Sequence, residues 1–122
     1  MNEIQLLLFT ELMQQYGSQL VNYKLDQLHM LGTSAVIITL QSETKVYIWN
    51  DGQVDWTING VLHREDGPAL SYPDGSCRWY LNGKLHRSGG PAVDGAMHKF
   101  WYIHGEIQLG KMWEPGMDVN DV

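Results

Sequence analysis

The chain of 122 residues has few cysteines, few basic residues and no long apolar run. Its single cysteine, Cys77, excludes an internal disulfide and is typical of a reducing compartment. Lysine and arginine number 8 against 14 acidic residues, and the net charge is -6. Nucleic-acid backbones require a basic surface, so we do not expect direct binding to duplex nucleic acid. Because no stretch of about 18 apolar residues occurs, the sequence predicts no membrane-spanning helix.

The N-terminus lacks the features of a secretory signal. Its segment MNEIQLLLFTELMQQ has an uninterrupted apolar run only from Leu6 to Phe9, and it carries Glu3 and Glu11. A signal peptide has a basic start followed by a longer apolar region. We therefore expect a cytoplasmic protein with no membrane partner.

Turn-forming residues are scarce in the first half of the chain, where a helix is predicted over about 3 to 16. All four prolines and eleven of the 13 glycines lie from residue 52 onward. Asn2 is a candidate N-cap with Gln5 three residues later, and Gly17 is a candidate stop. The expected apolar stripe of this helix consists of Ile4, Leu7, Leu8, Phe9 and Leu12.

The segment that follows, residues 18 to 31, fits two structures. Val21, Tyr23 and Leu25 alternate as in a strand, yet Val21, Leu25, Leu28 and Leu31 also fit a helical face. We interpret it as a strand. The β-branched and aromatic segments AVIITLQ and KVYIW are predicted to be paired strands.

From residue 49 onward the sequence repeats itself. WTINGVLHREDGPA at 56 to 69 recurs as WYLNGKLHRSGGPA at 79 to 92, a spacing of 23 residues. A third copy, one residue shorter, keeps Trp101, Gly105 and Ile107 but has neither the His-Arg pair nor Gly-Pro-Ala. Such repeats indicate units that bury their apolar faces only by stacking on neighbours.

The Asp-Gly dipeptides at 51, 74 and 94 and the Asn-Gly dipeptides at 59 and 82 predict tight hairpins, because both supply the positive φ angles of such turns. The sequence therefore predicts an α+β, mainly β fold: an N-terminal helix followed by an antiparallel sheet of tandem β-hairpin repeats of about 23 residues. Trp56, Trp79 and Trp101 should be buried along one face, with Thr57 and its equivalents Tyr80 and Tyr102 on the other.

The length is that of one domain, which we divide into three parts. Residues 1–44 contain the N-terminal helix and first strands, residues 45–110 contain the hairpin repeats, and residues 111–122 form an acidic C-terminal tail.

The repeat motif Trp-x-x-Asn-Gly-x-Leu-His-Arg-x-x-Gly-Pro-Ala, followed by Tyr-x-Asp-Gly, resembles a variant of the MORN (membrane occupation and recognition nexus) repeat over about residues 46 to 110. Its HREDGPA form, at 63 to 69, resembles small proteins of phages, prophages and large viruses. The resemblance implies a binding protein made of β-hairpins, and some such proteins are antitoxins. If the protein is phage-encoded, it would act in the cytoplasm of the bacterial host.

Several residues of catalytic type have structural interpretations that we prefer. His63 and His86 are of a residue type that serves as a general base or metal ligand, but both belong to the repeated unit, where a His-Arg step is expected to satisfy loop carbonyls. Cys77 occupies the position of Val54 in the repeat and is interpreted as a core residue. Asp66, Asp74 and Asp94 resemble paired glycosidase carboxylates but are interpreted as solvated turn residues.

No metal site or cofactor is expected. The five histidines lack the paired spacing of zinc ligands, and no second cysteine is available. The sequence also has no Gly-x-Ser-x-Gly elbow and no glycine-rich loop that opens a helix. We therefore expect a protein that is not an enzyme and has no catalytic residues.

Two functions from different classes follow. The first is a non-catalytic protein-binding module, phage- or prophage-encoded, that inhibits a host effector such as a CRISPR-Cas type anti-phage defence complex, with an antitoxin-like binding protein as its variant. The second is a small hydrolase or transferase that uses Cys77 and His86.

The partner-binding site should lie where the repeats differ. Outward positions become more aromatic toward the end of the chain, so the predicted interface consists of Tyr80, Phe100, Tyr102 and Trp113. A protein partner with a basic surface would complement the negative charge. Trp113 has an alternative role, which is to cover the open edge of the last hairpin.

Overall fold

The computed structural model describes residues 1–27 and 32–108. Within these ranges the chain forms one α-helix, one short 3-10 turn and thirteen strands. The elements are α1 (Glu3–Tyr16), the 3-10 turn (Gly17–Gln19), β1 (Leu20–Gln27), β2 (Ser34–Leu40), β3 (Thr44–Trp49), β4 (Val54–Ile58), β5 (Val61–Leu62), β6 (Leu70–Ser71), β7 (Cys77–Arg78), β8 (Tyr80–Leu81), β9 (Lys84–Leu85), β10 (Val93–Asp94), β11 (Lys99–Phe100), β12 (Tyr102–Ile103) and β13 (Glu106–Ile107). The predicted α+β, mainly β fold, with a helix followed by an antiparallel sheet of successive hairpins, is confirmed.

Helix α1 begins with the predicted cap. The Gln5 backbone N–H donates to the Asn2 side-chain oxygen at 2.8 Å, and the Asn2 N–H donates to the Gln5 side-chain oxygen at 3.0 Å. This reciprocal pair satisfies two N–H groups that a helix start leaves free. Gly17 ends the helix with a φ of −58°, so the chain continues into the 3-10 turn without a left-handed cap.

The buried face of α1 differs from the predicted apolar stripe. Gln5 and Tyr16 are buried, whereas Ile4 and Leu7 are exposed. Gln5 turns inward because its side-chain amide donates to the carbonyl of Ile48 on β3, at 3.1 Å. The partly buried residues of α1 that pack against the core are Leu8, Phe9, Leu12 and Met13.

The main sheet follows the chain as an antiparallel meander. Its order is β1-β2-β3-β4-β6-β7-β10-β11, and β5 pairs with the far end of β4. The strand interpretation of residues 18 to 31 is confirmed for 20 to 27, and residues 28 to 31 lie outside the described ranges. The buried core cluster consists of Tyr16, Val36, Ile38, Leu40, Val46, Ile48, Trp56 and Ala69.

The repeats form hairpins at the predicted turns, but two strands break at their tryptophans. Asn59 and Asn82 have φ angles of 52° and 51°, as their Asn-Gly turns require. Strand β4 runs through Trp56, whereas regular pairing stops at Trp79, between β7 and β8, and at Trp101, between β11 and β12. Strands β8 and β9, and likewise β12 and β13, therefore form separate two-stranded sheets.

Burial of the tryptophans is uneven, which corrects one prediction. Trp56 and Trp101 are buried, at 6% and 1% exposed, but Trp79 is only half-buried. Tyr16 packs edge-on against Trp56, with ring centroids 5.0 Å apart. No aromatic ring covers Trp79 in the same way within the described part of the chain, so identical repeat residues are buried to different extents.

The face opposite the tryptophans is also less exposed than predicted. Thr57 is buried, and its hydroxyl donates to the carbonyl of Lys45 at 3.1 Å. Tyr80 is half-buried and packs against the core cluster. The sheet therefore does not separate into a dry face and a wet face at these positions.

Candidate functional site

Each complete repeat contains an arginine stacked on its own tryptophan. The guanidinium carbon lies 4.0 Å from the ring centroid in both pairs, Arg64 with Trp56 and Arg87 with Trp79. One terminal nitrogen of each arginine donates to the proline carbonyl of its own Gly-Pro-Ala segment, at 3.3 Å in the first unit and 3.2 Å in the second. The stack and the hydrogen bond hold each planar guanidinium in one orientation.

The glycine of Gly-Pro-Ala makes room for this arginine. A Cβ atom on Gly67 would lie 2.6 Å from the guanidinium carbon of Arg64, and one on Gly90 would lie 2.9 Å from that of Arg87. Neither distance allows a carbon contact without displacement. The Arg-x-x-Gly spacing of the repeat is therefore explained by packing.

The repeat histidines connect successive units. Nδ1 of His63 accepts the backbone N–H of Asn82 at 3.0 Å, and Nδ1 of His86 accepts that of His104 at 2.9 Å. Burial, together with the neighbouring His104, lowers the pKa of His86. An Nδ1 that accepts a hydrogen bond requires an unprotonated Nδ1, which agrees with this direction. These contacts favour the structural interpretation of both histidines.

The first arginine lies in a cleft that also contains a tyrosine and a carboxylate. Arg64 Nε donates to Asp66 at 2.8 Å, Arg64 Nη2 donates to the Tyr16 hydroxyl at 3.0 Å, and that hydroxyl donates to Asp66 at 2.5 Å. Burial raises the pKa of Asp66, but hydrogen bonds from Tyr16 and Arg64 and the Arg64 charge outweigh it and lower that pKa overall. Asp66 is a solvent-exposed bend residue, which agrees with its interpretation from the sequence, and the structure adds that it belongs to an ion pair with Arg64. The cleft has a volume of about 450 Å³.

The second unit repeats this cleft with different occupants. Its volume is about 360 Å³, and the residues that line it are Arg64, Glu65, Trp79, Leu81, His86, Arg87, Ser88 and Gly89. Gly89 stands where the first unit has Asp66. Arg87 Nη1 lies 3.7 Å from Asp94, which also pairs with Lys99. Asp94 is the last residue of β10 and belongs to this ion pair, so its interpretation as a solvated turn residue is corrected.

The alternative nucleophile has an unfavourable setting. Cys77 is half-buried, and burial, followed by the nearby Asp94 charge, raises the pKa of its thiol. A nucleophilic cysteine needs a lowered pKa, because the thiolate is the reactive form. Within the described ranges, no hydrogen bond joins Cys77 to His86, whose Nδ1 accepts the backbone N–H of His104. This setting gives no support to a Cys-His pair.

Among residues 1–27 and 32–108, no three His, Cys, Asp or Glu side chains are grouped so that they could hold a metal ion. In the same part of the chain, no helix has the length and apolar content needed to cross a membrane.

The predicted interface residues have different environments. Phe100 is 43% exposed, and its ring stacks on that of His98. Tyr80 and Tyr102 are half-buried. Trp113 lies outside the described residues. Of the three predicted interface residues that the structure describes, Phe100 is therefore the exposed one.

A second apolar surface, which the sequence interpretation missed, lies at the N-terminus. We call it the N-terminal surface, and it consists of Leu6, Phe9, Tyr23 and Leu25. Leu6, Tyr23 and Leu25 are each more than half exposed, and the rings of Phe9 and Tyr23 are 4.9 Å apart. Leu6 lies one turn before Phe9, on the same side of α1. The alternation of Tyr23 and Leu25 was visible in the sequence, but the position of β1 at the edge of the sheet that the described residues form was not.

Comparison of the chain with known protein families, curated proteins and solved structures finds no match. The resemblance to MORN-type repeats therefore stays a prediction from the motif. The geometry of the clefts and of the exposed apolar surfaces is what bears on function.

Proposed function

We propose that the chain is a non-catalytic protein-binding module that inhibits a bacterial anti-phage effector, such as a CRISPR-Cas type complex. The observation that carries the binding role is the N-terminal surface on α1 and β1. β1 is an edge strand of the main sheet among the described residues, and Tyr23 and Leu25 lie on it half-exposed. Apolar side chains beside a free strand edge are a common docking site for another protein.

Two further observations support this role over an enzymatic one. Nδ1 of the repeat histidines and Nη1 of the repeat arginines are held by contacts within and between units, so these groups stabilise the scaffold. The pKa of Cys77 is raised, which disfavours a thiolate nucleophile. The resemblance to phage repeat proteins supports the choice of a defence effector as partner, and an antitoxin-like role is the variant in which the partner is a toxin.

The effector assay tests the inhibitor role directly. The purified chain is added to a reconstituted CRISPR-Cas effector with its guide and target DNA, and target cleavage is measured. We expect cleavage to fall in proportion to the chain bound. With a net charge of -6, the chain should bind more weakly as salt is raised. Unchanged cleavage across the main effector types would reject the inhibitor role.

Titration calorimetry of the chain against the effector that it inhibits then locates the interface. We expect Tyr23→Ala or Leu25→Ala to weaken binding by about 2 kcal/mol or more, the usual size of a hot-spot effect. Val61→Ala is the matched control, because Val61 is 43% exposed on a different hairpin. The competing site is tested in parallel with alanine variants of Tyr80, Phe100, Tyr102 and Trp113. If only these four weaken binding, the interface lies at the C-terminal end, as the sequence predicted.

A further inference from the structure

The two complete repeats hold their arginines in the same place but give them different partners. The guanidinium-to-ring distance is 4.0 Å in both units, and the hydrogen bonds to the proline carbonyls differ by only 0.1 Å, at 3.3 and 3.2 Å. Nε of Arg87 therefore faces the same part of its cleft as Nε of Arg64 does. In the first unit that part holds the carboxylate of Asp66, 2.8 Å from Nε.

Nothing from the described chain fills the corresponding place in the second unit. Gly89 replaces the aspartate, and no residue within 1–27 or 32–108 takes the role of Tyr16. The hydrogen bond and the ion pair of Arg87 both involve Nη1, which leaves Nε and Nη2 without a protein acceptor in the described ranges. The side chain of Arg87 is also more exposed, at 25% compared with 16% for Arg64.

We propose that Arg87, stacked on Trp79, is a binding site for an external carboxylate, which takes the position that Asp66 occupies in the preceding unit. The free Nε and Nη2 form the planar pair of donors that a carboxylate accepts bidentately. The cleft of about 360 Å³ has room for such a group.

The charges around the cleft match one carboxylate. Arg64 and Glu65 also line the cleft, but Nε and Nη2 of Arg64 are already paired with Asp66 and Tyr16, so Arg87 is the lining cation with free donors, and Asp94 lies 3.7 Å from its Nη1. Glu65 does not supply the missing group, because its side chain is 82% exposed and lies 3.6 Å from the ring of His63. The apolar lining of Trp79 and Leu81 suits the side-chain methylenes that carry the carboxylate. This inference does not depend on the proposed inhibitor function.

The test uses the side-chain Nε–H signals of arginine in NMR spectra of the full-length protein. The chain has three arginines, and each serves a purpose: Arg87 is the site, Arg64 is already paired internally, and Arg78 is an exposed control. Acetate is titrated at constant ionic strength against chloride. We expect a saturable shift of the Arg87 signal that chloride does not reproduce, with no saturable shift of Arg64 or Arg78.

Two variants make the result specific. Gly89→Asp should supply the carboxylate from within, so its Arg87 signal should resemble that of Arg64 before any addition and should no longer respond to acetate. Gly89 is not among the glycines with positive φ, so a side chain is tolerated by the backbone there. Arg87→Lys keeps the positive charge but removes the two parallel N–H donors of the guanidinium. This variant should lose the saturable acetate response, which is followed through the indole N–H signal of Trp79.

A second titration identifies the source of the carboxylate. If the natural ligand is a polypeptide, a short peptide with one glutamate between apolar residues should shift Arg87 at a concentration at least about tenfold below that of acetate. If the peptide and acetate shift the Arg87 signal at equal concentrations, the natural ligand is a small carboxylate. Equal, unsaturable shifts of Arg87 and Arg78, or an unchanged acetate response in Gly89→Asp, would overturn the proposal.

Discussion

Replacing Gly67 by alanine tests the packing of the arginine stack. The added methyl would lie 2.6 Å from the guanidinium carbon of Arg64, so the arginine must leave its place over Trp56. Loss of the stack costs about 0.5–2 kcal/mol. Loss of the hydrogen bond to Asp66 costs about 1.5 kcal/mol, the low end for a charged pair, because that carboxylate is 58% exposed. Alanine restricts the unfolded chain and regains about 0.4–1 kcal/mol.

The net expectation for Gly67→Ala is a destabilisation of about 2 kcal/mol, measured by chemical denaturation. Gly90→Ala is the matched comparison: Arg87 makes no carboxylate hydrogen bond through Nε, and its ion pair with Asp94 is long, at 3.7 Å, so the cost should stay within about 1 kcal/mol. The decisive control is Gly67→Ala made in an Arg64→Ala background, where it should be neutral or stabilising. An equal cost in both backgrounds would show that the glycine is needed for another reason, and the packing argument would be wrong.

Two further perturbations have defined outcomes. Gln5→Ala leaves the Ile48 carbonyl without its donor and removes half of the capping pair. The free energy of unfolding should therefore fall by about 1–3 kcal/mol in the same denaturation assay. A decrease below about 0.5 kcal/mol would contradict the role of this buried amide. In the folded chain the pKa of His86 is lowered, so the unfolded chain binds a proton before the folded chain does as the pH falls below the ordinary histidine pKa of 6.5. His86 therefore stabilises the fold above that pH, and this contribution is lost as the pH falls further. His86→Asn keeps an oxygen to accept the His104 N–H, and its melting temperature should fall less between pH 7 and about pH 5 than that of the wild type.

Features determined by a few neighbouring residues could be predicted from the sequence. The Asn-Gly turns at 59 and 82 follow from the positive φ that these residues tolerate, and the cap at Asn2 follows from its spacing to Gln5. Both are local, so the distant chain does not alter them. The same holds for the strand order, since successive hairpins pair with their neighbours in sequence.

Features that depend on the contacts between α1 and the repeats could not be predicted from the sequence. The repeat gives Trp56 and Trp79 the same sequence context, but only Trp56 meets Tyr16. Tyr16 and Asp66 are 50 residues apart in the sequence, and no local sequence pattern predicts the hydrogen bond between them. The same limit applies to the candidate site: the motif identified Arg87 as structural, whereas its unoccupied donors become visible only beside those of Arg64.

The repeat histidines make the same contact between successive units. Each accepts an N–H from the turn of the next unit, beside backbone hydrogen bonds that also connect the units, such as that from Gly83 N–H to the Leu62 carbonyl. The third copy has Gln108 at that position. Gln108 keeps the backbone contact of its predecessors, because its N–H donates to the carbonyl of Trp101 at 2.8 Å.

Alanine substitution at the three equivalent positions should therefore give two different results. His63→Ala leaves the N–H of Asn82 without its acceptor and should cost about 0.5–1.5 kcal/mol, as should His86→Ala. Among the described residues the Gln108 side chain donates only to the Glu106 carbonyl of its own hairpin, at 3.0 Å in an exposed position, so the cost of Gln108→Ala should stay within about 0.5 kcal/mol, as for a surface position. Thermal melts of the three variants at pH 8 measure the difference. If Gln108→Ala is as destabilising as the histidine variants, the side chain at this position stabilises its own hairpin, and the histidines are not what connects one unit to the next.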